Sequence, residues 1–217
     1  MKKIAILGGY GDGITISEFI EEIGEFEIIG YLNDFEKKDT VIGNYPVLET
    51  CDNWKKLPAN CYFTFTMQRF LKMQERYNKL KQLAIPPERF PNIIHPKAHI
   101  SKSCKLGSSG IIVYPYATIY HSTIINNFCS IRSGANIGHD CILGEFNYVG
   151  SNAVLSGYTQ TEEGVYIAPN STINSSISLK KYSMAGSNSV IYKNVEEYQI
   201  YQGNPARFIG KTNEQNV

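Results

Sequence analysis

The chain lacks the features of a membrane-bound, secreted or nucleic-acid-binding protein. Its 21 basic and 20 acidic residues leave a formal charge of +1, which gives no electrostatic reason to expect nucleic acid or a membrane surface as partner. No run of eighteen apolar residues occurs, and the short apolar stretch in Met1–Leu7 breaks at Gly8-Gly9, too early for a signal peptide. A cytoplasmic location is therefore expected. The five cysteines (Cys51, Cys61, Cys104, Cys129, Cys141) are odd in number and form no C-x-x-C pair, so they read as small buried hydrophobes and not as disulfides or zinc ligands. Histidine is scarce too, with four in the chain.

What is present divides into two patterns. The hydrophobic fraction of 42% is that of a globular protein, and 217 residues suffice for one sizeable domain or two small ones. Up to about residue 92 the chain alternates β and α. Lys3–Leu7 is a short apolar strand, Gly8-Gly9-Tyr10-Gly11-Asp12-Gly13 a glycine-rich turn, and Ile14–Ile23 has the apolar spacing of a helix. Glu27–Leu32 and Tyr62–Phe65 read as further strands, and Gln68–Leu83 as an amphipathic helix carrying Phe70, Met73, Tyr77 and Leu80. Such alternation predicts a small Rossmann-like βαβ unit with a parallel sheet, over residues 1–92.

From residue 93 the period changes to six. Val113, Ile119, Ile125, Ile131, Ile137, Leu143, Val149, Leu155, Thr161, Ile167, Ile173, Leu179, Ala185 and Ile191 follow one another without a slip. Ile94, Ile100 and Leu106 continue the series upstream, with one extra residue near Gly110. Four residues after most of these comes a small one: Ala117, Thr123, Cys129, Ala135, Cys141, Ala153, Ser171, Ser183, Ser189. Neither a helix nor an alternating strand has this period. A six-residue repeat is the signature of a parallel β-helix, three hexapeptides to a triangular coil of eighteen. The β-helix is expected over 93–195. A closing segment, 196–217, contains Gly203-Asn204-Pro205-Ala206-Arg207 and exposes a basic side chain.

The repeat also orients the histidines. His139 lies two positions after the inward Ile137 and so faces outward. One coil back is His121 and one coil on is Gly157, so the three should stack about 4.8 Å apart, the strand spacing. Imidazole as a residue type titrates near neutrality and suits general-base work, with Asp140 and Glu145 as candidates to orient it. His121 and His139 alone make half a metal site; His95 and His99 lie at the start of the helix, so no metal is expected. The Gly8–Gly13 loop follows a strand and opens a helix, where backbone N–H groups can receive a phosphate. Its spacing is not the dinucleotide fingerprint. Asn33 and Asp34 end the next strand, where they could hydrogen-bond a base or ribose.

Together with the repeat, the runs Gly43-Asn44-Tyr45-Pro46-Val47-Leu48, Ile93-Ile94-His95-Pro96 and Ile137-Gly138-His139-Asp140-Cys141-Ile142-Leu143-Gly144-Glu145-Phe146 occur in a telling order. That order resembles the hexapeptide-repeat nucleotide-sugar acetyltransferases of the bacillosamine, perosamine and sialic-acid kind. The resemblance implies a left-handed β-helix in a homotrimer, with acetyl-CoA between neighbouring subunits and the nucleotide of an amino-sugar substrate on the N-terminal unit. It makes His139 the base and gives Gly157 a backbone N–H for the thioester carbonyl. It places the coenzyme path along Ala168, Gly186 and Ser187, with Lys193 and Arg207 near its phosphates. His121, Arg132 and Tyr148 would face the substrate. Relatives carry histidine where Asp12 and Tyr148 stand and asparagine where Arg132 stands, so charge differs near the expected sugar site. The implied reaction is acetylation of a nucleotide-linked amino-deoxysugar, dTDP- or UDP-linked, for a surface glycan. O-acetylation of a free sugar such as sialic acid, or a non-catalytic β-helix scaffold, are the competing readings.

Overall fold

In the computed structural model, residues 1–213 are described; residues 214–217, the end of the expected closing segment, lie outside them. The first unit comprises β1 (Lys2–Leu7), α1 (Asp12–Ile23), β2 (Phe26–Leu32), β3 (Val41–Ile42), β4 (Tyr45–Glu49), β5 (Tyr62–Phe65) and α2 (Met73–Leu83). The sheet order is β3-β4-β2-β1-β5, and all neighbours are parallel except the β3–β4 hairpin. The continuous apolar run Ile4–Leu7 is fully buried, as a central parallel strand covered on both faces requires.

The second helix is shorter than its spacing predicts. It starts at Met73, and Met73, Tyr77, Leu80 and Leu83 are buried while Phe70 is exposed. The residues ahead of it cross to the β-helix instead. Gln68 donates from Nε2 to the carbonyls of Phe128 (3.0 Å) and Asn147 (3.3 Å), and Phe70 meets Tyr166 edge-on at 5.9 Å. These longer-range contacts outweigh the weak local preference for helix.

From Ile93 on, two-residue strands stack into three parallel faces. On the second face Ile119 pairs with Ile137, Ile137 with Leu155, Leu155 with Ile173 and Ile173 with Ile191, one coil of eighteen at each step. In the first coil the partners are nineteen apart (Ile94–Val113, Ile100–Ile119, Leu106–Ile125), which locates the extra residue near Gly110. Every inward position from Val113 to Ile191 is buried, and so are the small residues beside them. Burial of each aliphatic is worth about 1.5–3 kcal/mol. Cys129 and Cys141 fill small inward sites, their thiols donating to the carbonyls of Gly144 (3.1 Å) and Ser156 (3.4 Å). The arrangement fits a left-handed parallel β-helix.

At the corners every sixth residue from Gly110 to Asn188 has a positive φ, among them Tyr116, Phe128, Asp140, Phe146 and Tyr158. Few of these are glycine, so the stacked coils hold ordinary side chains in a conformation they rarely adopt. The first face is covered by the α/β unit: Phe146 stacks on Tyr77 at 4.6 Å and Tyr166 meets Phe70, while Tyr148 and Tyr166 stack on each other within the face at 4.4 Å. Gln199–Gly203 and Ala206–Lys211 form an antiparallel hairpin that adds to the same face through Met184 and Ala185.

Candidate active site

Corner geometry sets His139. The chain turns at Asp140, whose φ of 55° brings its carboxylate back to the histidine it follows. The His139 Nδ1 and Asp140 Oδ2 lie 2.8 Å apart, which leaves Nε2 as the free ring nitrogen. Backbone bonds tie successive corners: Asp140 N–H to His121 O (3.1 Å), Tyr158 N–H to His139 O (3.0 Å) and Ser176 N–H to Gly157 O (3.1 Å). The expected stack forms. His121 and His139 rings are parallel within 10° at 5.2 Å, and a Cβ on Gly157 would fall 2.8 Å from Cε1 and Nε2 of His139. The imidazole thus lies between a second ring and bare backbone. Among the described hydrogen bonds none uses the Gly157 N–H as donor. Tyr158 meets the His139 ring edge-on at 5.1 Å, a neighbour the sequence reading passed over although it follows Gly157 directly.

Glu145 does not orient the histidine. Its carboxylate receives the Tyr77 hydroxyl at 2.5 Å and lies 3.4 Å from Asn127 Nδ2, at a different corner of the coil. Burial, with Glu145 as acceptor, pushes the Tyr77 hydroxyl well above the usual phenol range. This pair fastens α2 to the β-helix.

A second feature is a cavity of about 400 Å³ lined by Gly8, Gly9, Tyr10 and Asp12 on one side and by Asp34, Phe35 and the 66–69 segment on others. Gly8 has no alternative: its φ is 139° and a Cβ would stand 2.2 Å from Thr66 Oγ1. Gly13 departs from the expected phosphate loop; it is buried in α1, its space bounded by Tyr31, whose hydroxyl donates to the Gly13 carbonyl (3.3 Å). Gly11 caps α1 without lining the cavity. Asn33 lines the cavity too. It is buried, donates to Gly8 O (2.9 Å) and accepts from the N–H groups of Phe35 (2.8 Å) and Glu36 (3.0 Å), so its side chain also shapes the loop. Asp34 accepts the Cys51 N–H and pairs with Lys79 at 3.3 Å. The loop cluster Thr66–Arg69, Phe35 and Arg76 completes the walls and was not foreseen; only their return from distant parts of the chain brings them there.

Asp12 and Arg132, two positions where charge was expected to differ from relatives, cancel each other. Arg132 Nη2 donates to Asp12 Oδ1 and Nη1 to the Tyr114 hydroxyl, and the guanidinium lies 3.9 Å over the Tyr114 ring and 5.3 Å from that of Tyr148. Burial raises the Tyr114 hydroxyl above its ordinary range although Arg132 pulls the other way.

Along the later coils, Ala168 is buried and Ser187 exposed. Gly186 lies under Gln202, whose side chain a Cβ would meet at 3.0 Å. Lys193 Nζ sits 5.7 Å over the Tyr201 ring, and Arg207 donates to the neighbouring Ala206 carbonyl at 3.2 Å. His95 is buried, with Nε2 2.9 Å from Glu22, while Nδ1 accepts the Lys97 N–H. Among the described residues no group of three or more His, Cys, Asp or Glu could hold a metal, and no helix is long and apolar enough to cross a membrane.

No protein-family model matches the chain. In sequence it is 32% identical over 118 residues to a probable macrolide acetyltransferase of Lysinibacillus sphaericus, 46% of this chain and 66% of that one. Its match to the GDP-perosamine N-acetyltransferase of Escherichia coli O157:H7 is 28% identical over 85 residues, 39% of this chain. The chain spans only about a third of the length of the first curated relatives it matches, 34% and 29% of UDP-N-acetylglucosamine O-acyltransferases from Aliivibrio. Among solved structures the likeness is end to end. The PglB acetyltransferase domain of Neisseria gonorrhoeae, bound to acetyl coenzyme A, superposes with a TM-score of 0.84 at 24% identity over 96% of this chain and 99% of that one. PerB of Caulobacter crescentus, bound to CoA and GDP-perosamine, does so with 0.82 at 20% identity over 96% and 97%. The fold is that of these two structures. Shared fold at these identities covers the α/β unit as well as the β-helix, and it leaves the chemistry to be argued from this chain's own side chains.

Proposed function

We propose that this protein transfers acetyl from acetyl-CoA to the amine of a nucleotide-linked amino-deoxysugar. The observation that carries the reading is the His139 site: an outward imidazole bonded through Nδ1 to Asp140, with its free Nε2 beside the bare backbone of Gly157. Acyl transfer needs a proton acceptor and an oxyanion donor a few ångströms apart. His139 Nε2 takes the amine proton as nitrogen attacks the thioester carbon. The oxygen's developing charge meets the Gly157 N–H, and the carbon–sulfur bond breaks to release CoA, whose thiolate is reprotonated. Asp140 fixes the ring and offsets the imidazolium charge; His121 and Tyr158 hold its plane.

The two-part substrate is supported by the two-part chain. Residues 1–92 carry the loop and cavity suited to a nucleoside diphosphate, 93–195 the acetyl-transfer site, and the segment from 196 closes the stack. The N-terminal unit is read as Rossmann-like in layout, its ligand at the Gly8–Tyr10 loop. His139 stands where the second face ends and Arg132 where it begins, so the nucleotide cavity and the base occupy different corners of one coil. A homotrimer, which would set a neighbour's His139 against this cavity, accounts for that separation and for the exposed Tyr116, Ile142, Val154 and Tyr158 on the other two faces and their corners. CoA runs on this reading past Ala168, Gly186 and Ser187 toward Lys193 and Arg207. Acetyl-CoA and sugar nucleotides are cytoplasmic metabolites, and the location follows from them.

The test is release of CoA by purified protein offered acetyl-CoA with amino-sugar nucleotides. Turnover with a free sugar and none of the nucleotide-linked ones would favour O-acetylation instead. Failure to bind acetyl-CoA would favour the scaffold.

A further inference from the structure

The cavity beside the glycine loop contains a charged side chain with one donor left without a hydrogen-bond partner among the described residues. Arg76 projects from α2 into this cavity, and its Nε is buried without a hydrogen-bond partner among the described residues. Its side chain is 19% exposed, and the carboxylate paired with it among the described residues, Glu75, lies 3.7 Å from Nη2, beyond hydrogen-bond distance. A buried donor with no acceptor is unfavourable, the more so when it belongs to a charged group. Such a group calls for an acceptor from outside the chain.

The charges around it say what that acceptor is. Of the carboxylates in the walls, Asp12 is held by Arg132 and Asp34 by Lys79 and the Cys51 N–H. That leaves Glu36 against two guanidiniums, Arg76 and the exposed Arg69. Gly8, Gly9 and Tyr10 line the same cavity, and among the described hydrogen bonds none uses the Gly9 or Tyr10 N–H as donor. A planar guanidinium and backbone N–H groups lining one cavity of about 400 Å³ are suited to an oxyanion with several acceptor oxygens, and Arg presents its donors in a fork that matches phosphate.

We propose that Arg76 is a specificity-determining residue that binds the diphosphate of the substrate, clamping it against Gly8–Tyr10 with Arg69 at the rim. The inference rests on the nucleotide-linked reading above and adds to it the residue that distinguishes a nucleoside diphosphate from a nucleoside or a free sugar.

Calorimetry on the full chain tests it, with UDP, dTDP and GDP, the corresponding nucleosides, inorganic pyrophosphate and acetyl-CoA titrated into wild type, Arg76→Gln, Arg76→Lys and Arg69→Gln. Arg76→Gln is expected to weaken the preferred diphosphate at least tenfold and leave acetyl-CoA binding unchanged. Arg76→Lys should recover part of the loss and Arg69→Gln should cost less. In turnover the loss should appear in KM for the sugar nucleotide and not in kcat. The salt dependence of wild-type diphosphate binding should be steeper than that of Arg76→Gln, and if Arg76→Gln fails to fold, the Arg76→Lys comparison carries the same information. Wild type and Arg76→Gln binding the diphosphate equally would overturn the assignment while leaving the nucleotide reading intact. Wild type binding acetyl-CoA but neither nucleotide nor pyrophosphate would overturn both. Pyrophosphate binding lost in Arg76→Gln, with no preference for any nucleotide, would uphold the anion site and count against the nucleotide reading.

Discussion

Gly157 stands one coil beyond His139 with no room for a side chain, since a Cβ there would come within 2.8 Å of Cε1 and Nε2 of the imidazole. The closest approach allowed to a real Cβ is larger, so a methyl group at 157 must move the ring. Gly157→Ala keeps the backbone N–H, and its loss of rate therefore reports the position of His139. A displacement of about 1 Å at a reacting group can cost on the order of 10²-fold. Steady-state kinetics should show kcat reduced by roughly 10- to 100-fold with the thermal midpoint little changed. An unchanged kcat would mean that the ring's position over Gly157 has no part in catalysis.

Asp140 and Glu145 should separate cleanly. Asp140→Asn replaces the acceptor at Nδ1 and is expected to lower kcat by roughly 10- to 10²-fold. Glu145→Gln disturbs the Tyr77 contact that fastens α2, so it should lower the denaturation midpoint and leave kcat in place. The two kcat values, measured side by side with unfolding curves, check the division of roles.

How much of this could be read in the sequence depends on how local the signal is. The six-residue phase identified each inward residue from Val113 to Ile191, and adding eighteen placed His121, His139 and Gly157 in one stack, because a regular coil turns sequence arithmetic into distance. What the arithmetic could not see lies across the two units. Asp12 and Arg132 meet although 120 residues separate them, and no period connects a helix N-terminus to a β-helix corner. The corners themselves were hidden, since Tyr116, Phe128 and Phe146 take a conformation that turn rules assign to glycine or asparagine. Asn33 was placed at the cavity by its position at the end of a strand; its hydrogen bond to Gly8, which shapes the loop, had no local signal.

The Asp12–Arg132 pair joins the glycine loop to the β-helix, with side chains 30% and 15% exposed. Asp12→Asn or Arg132→Gln leaves a partly buried charge without its partner, which should cost about 1–2 kcal/mol after allowance for that exposure. The double variant should lose less than the sum. Denaturant unfolding of the four proteins gives the coupling energy, and strict additivity would show that the pair contributes nothing to joining the units.

The cysteines predict a labelling pattern. Cys51, Cys61, Cys129 and Cys141 are buried, and burial, then Asp34, pushes the Cys51 thiol up to about 12 while burial takes Cys61 to about 11. Only a thiolate reacts, so near pH 8 a thiol reagent should label Cys104, which is partly exposed, ahead of all others in the native protein, and all five after denaturation. Rapid native labelling of Cys129 or Cys141 would contradict the packing described for the coil interior, and of Cys51 or Cys61 that of the α/β core.

The most direct test of acetyl transfer is continuous detection of free CoA when the purified protein is given acetyl-CoA and a panel of UDP-, dTDP- and GDP-linked 3- and 4-amino sugars. The account predicts that at least one releases CoA with stoichiometric N-acetylation, that none does so without the sugar, and that His139→Asn slows the productive pair by roughly 10²- to 10⁴-fold, the range of a general base. Release with no member of the panel, or full activity in His139→Asn, would contradict it.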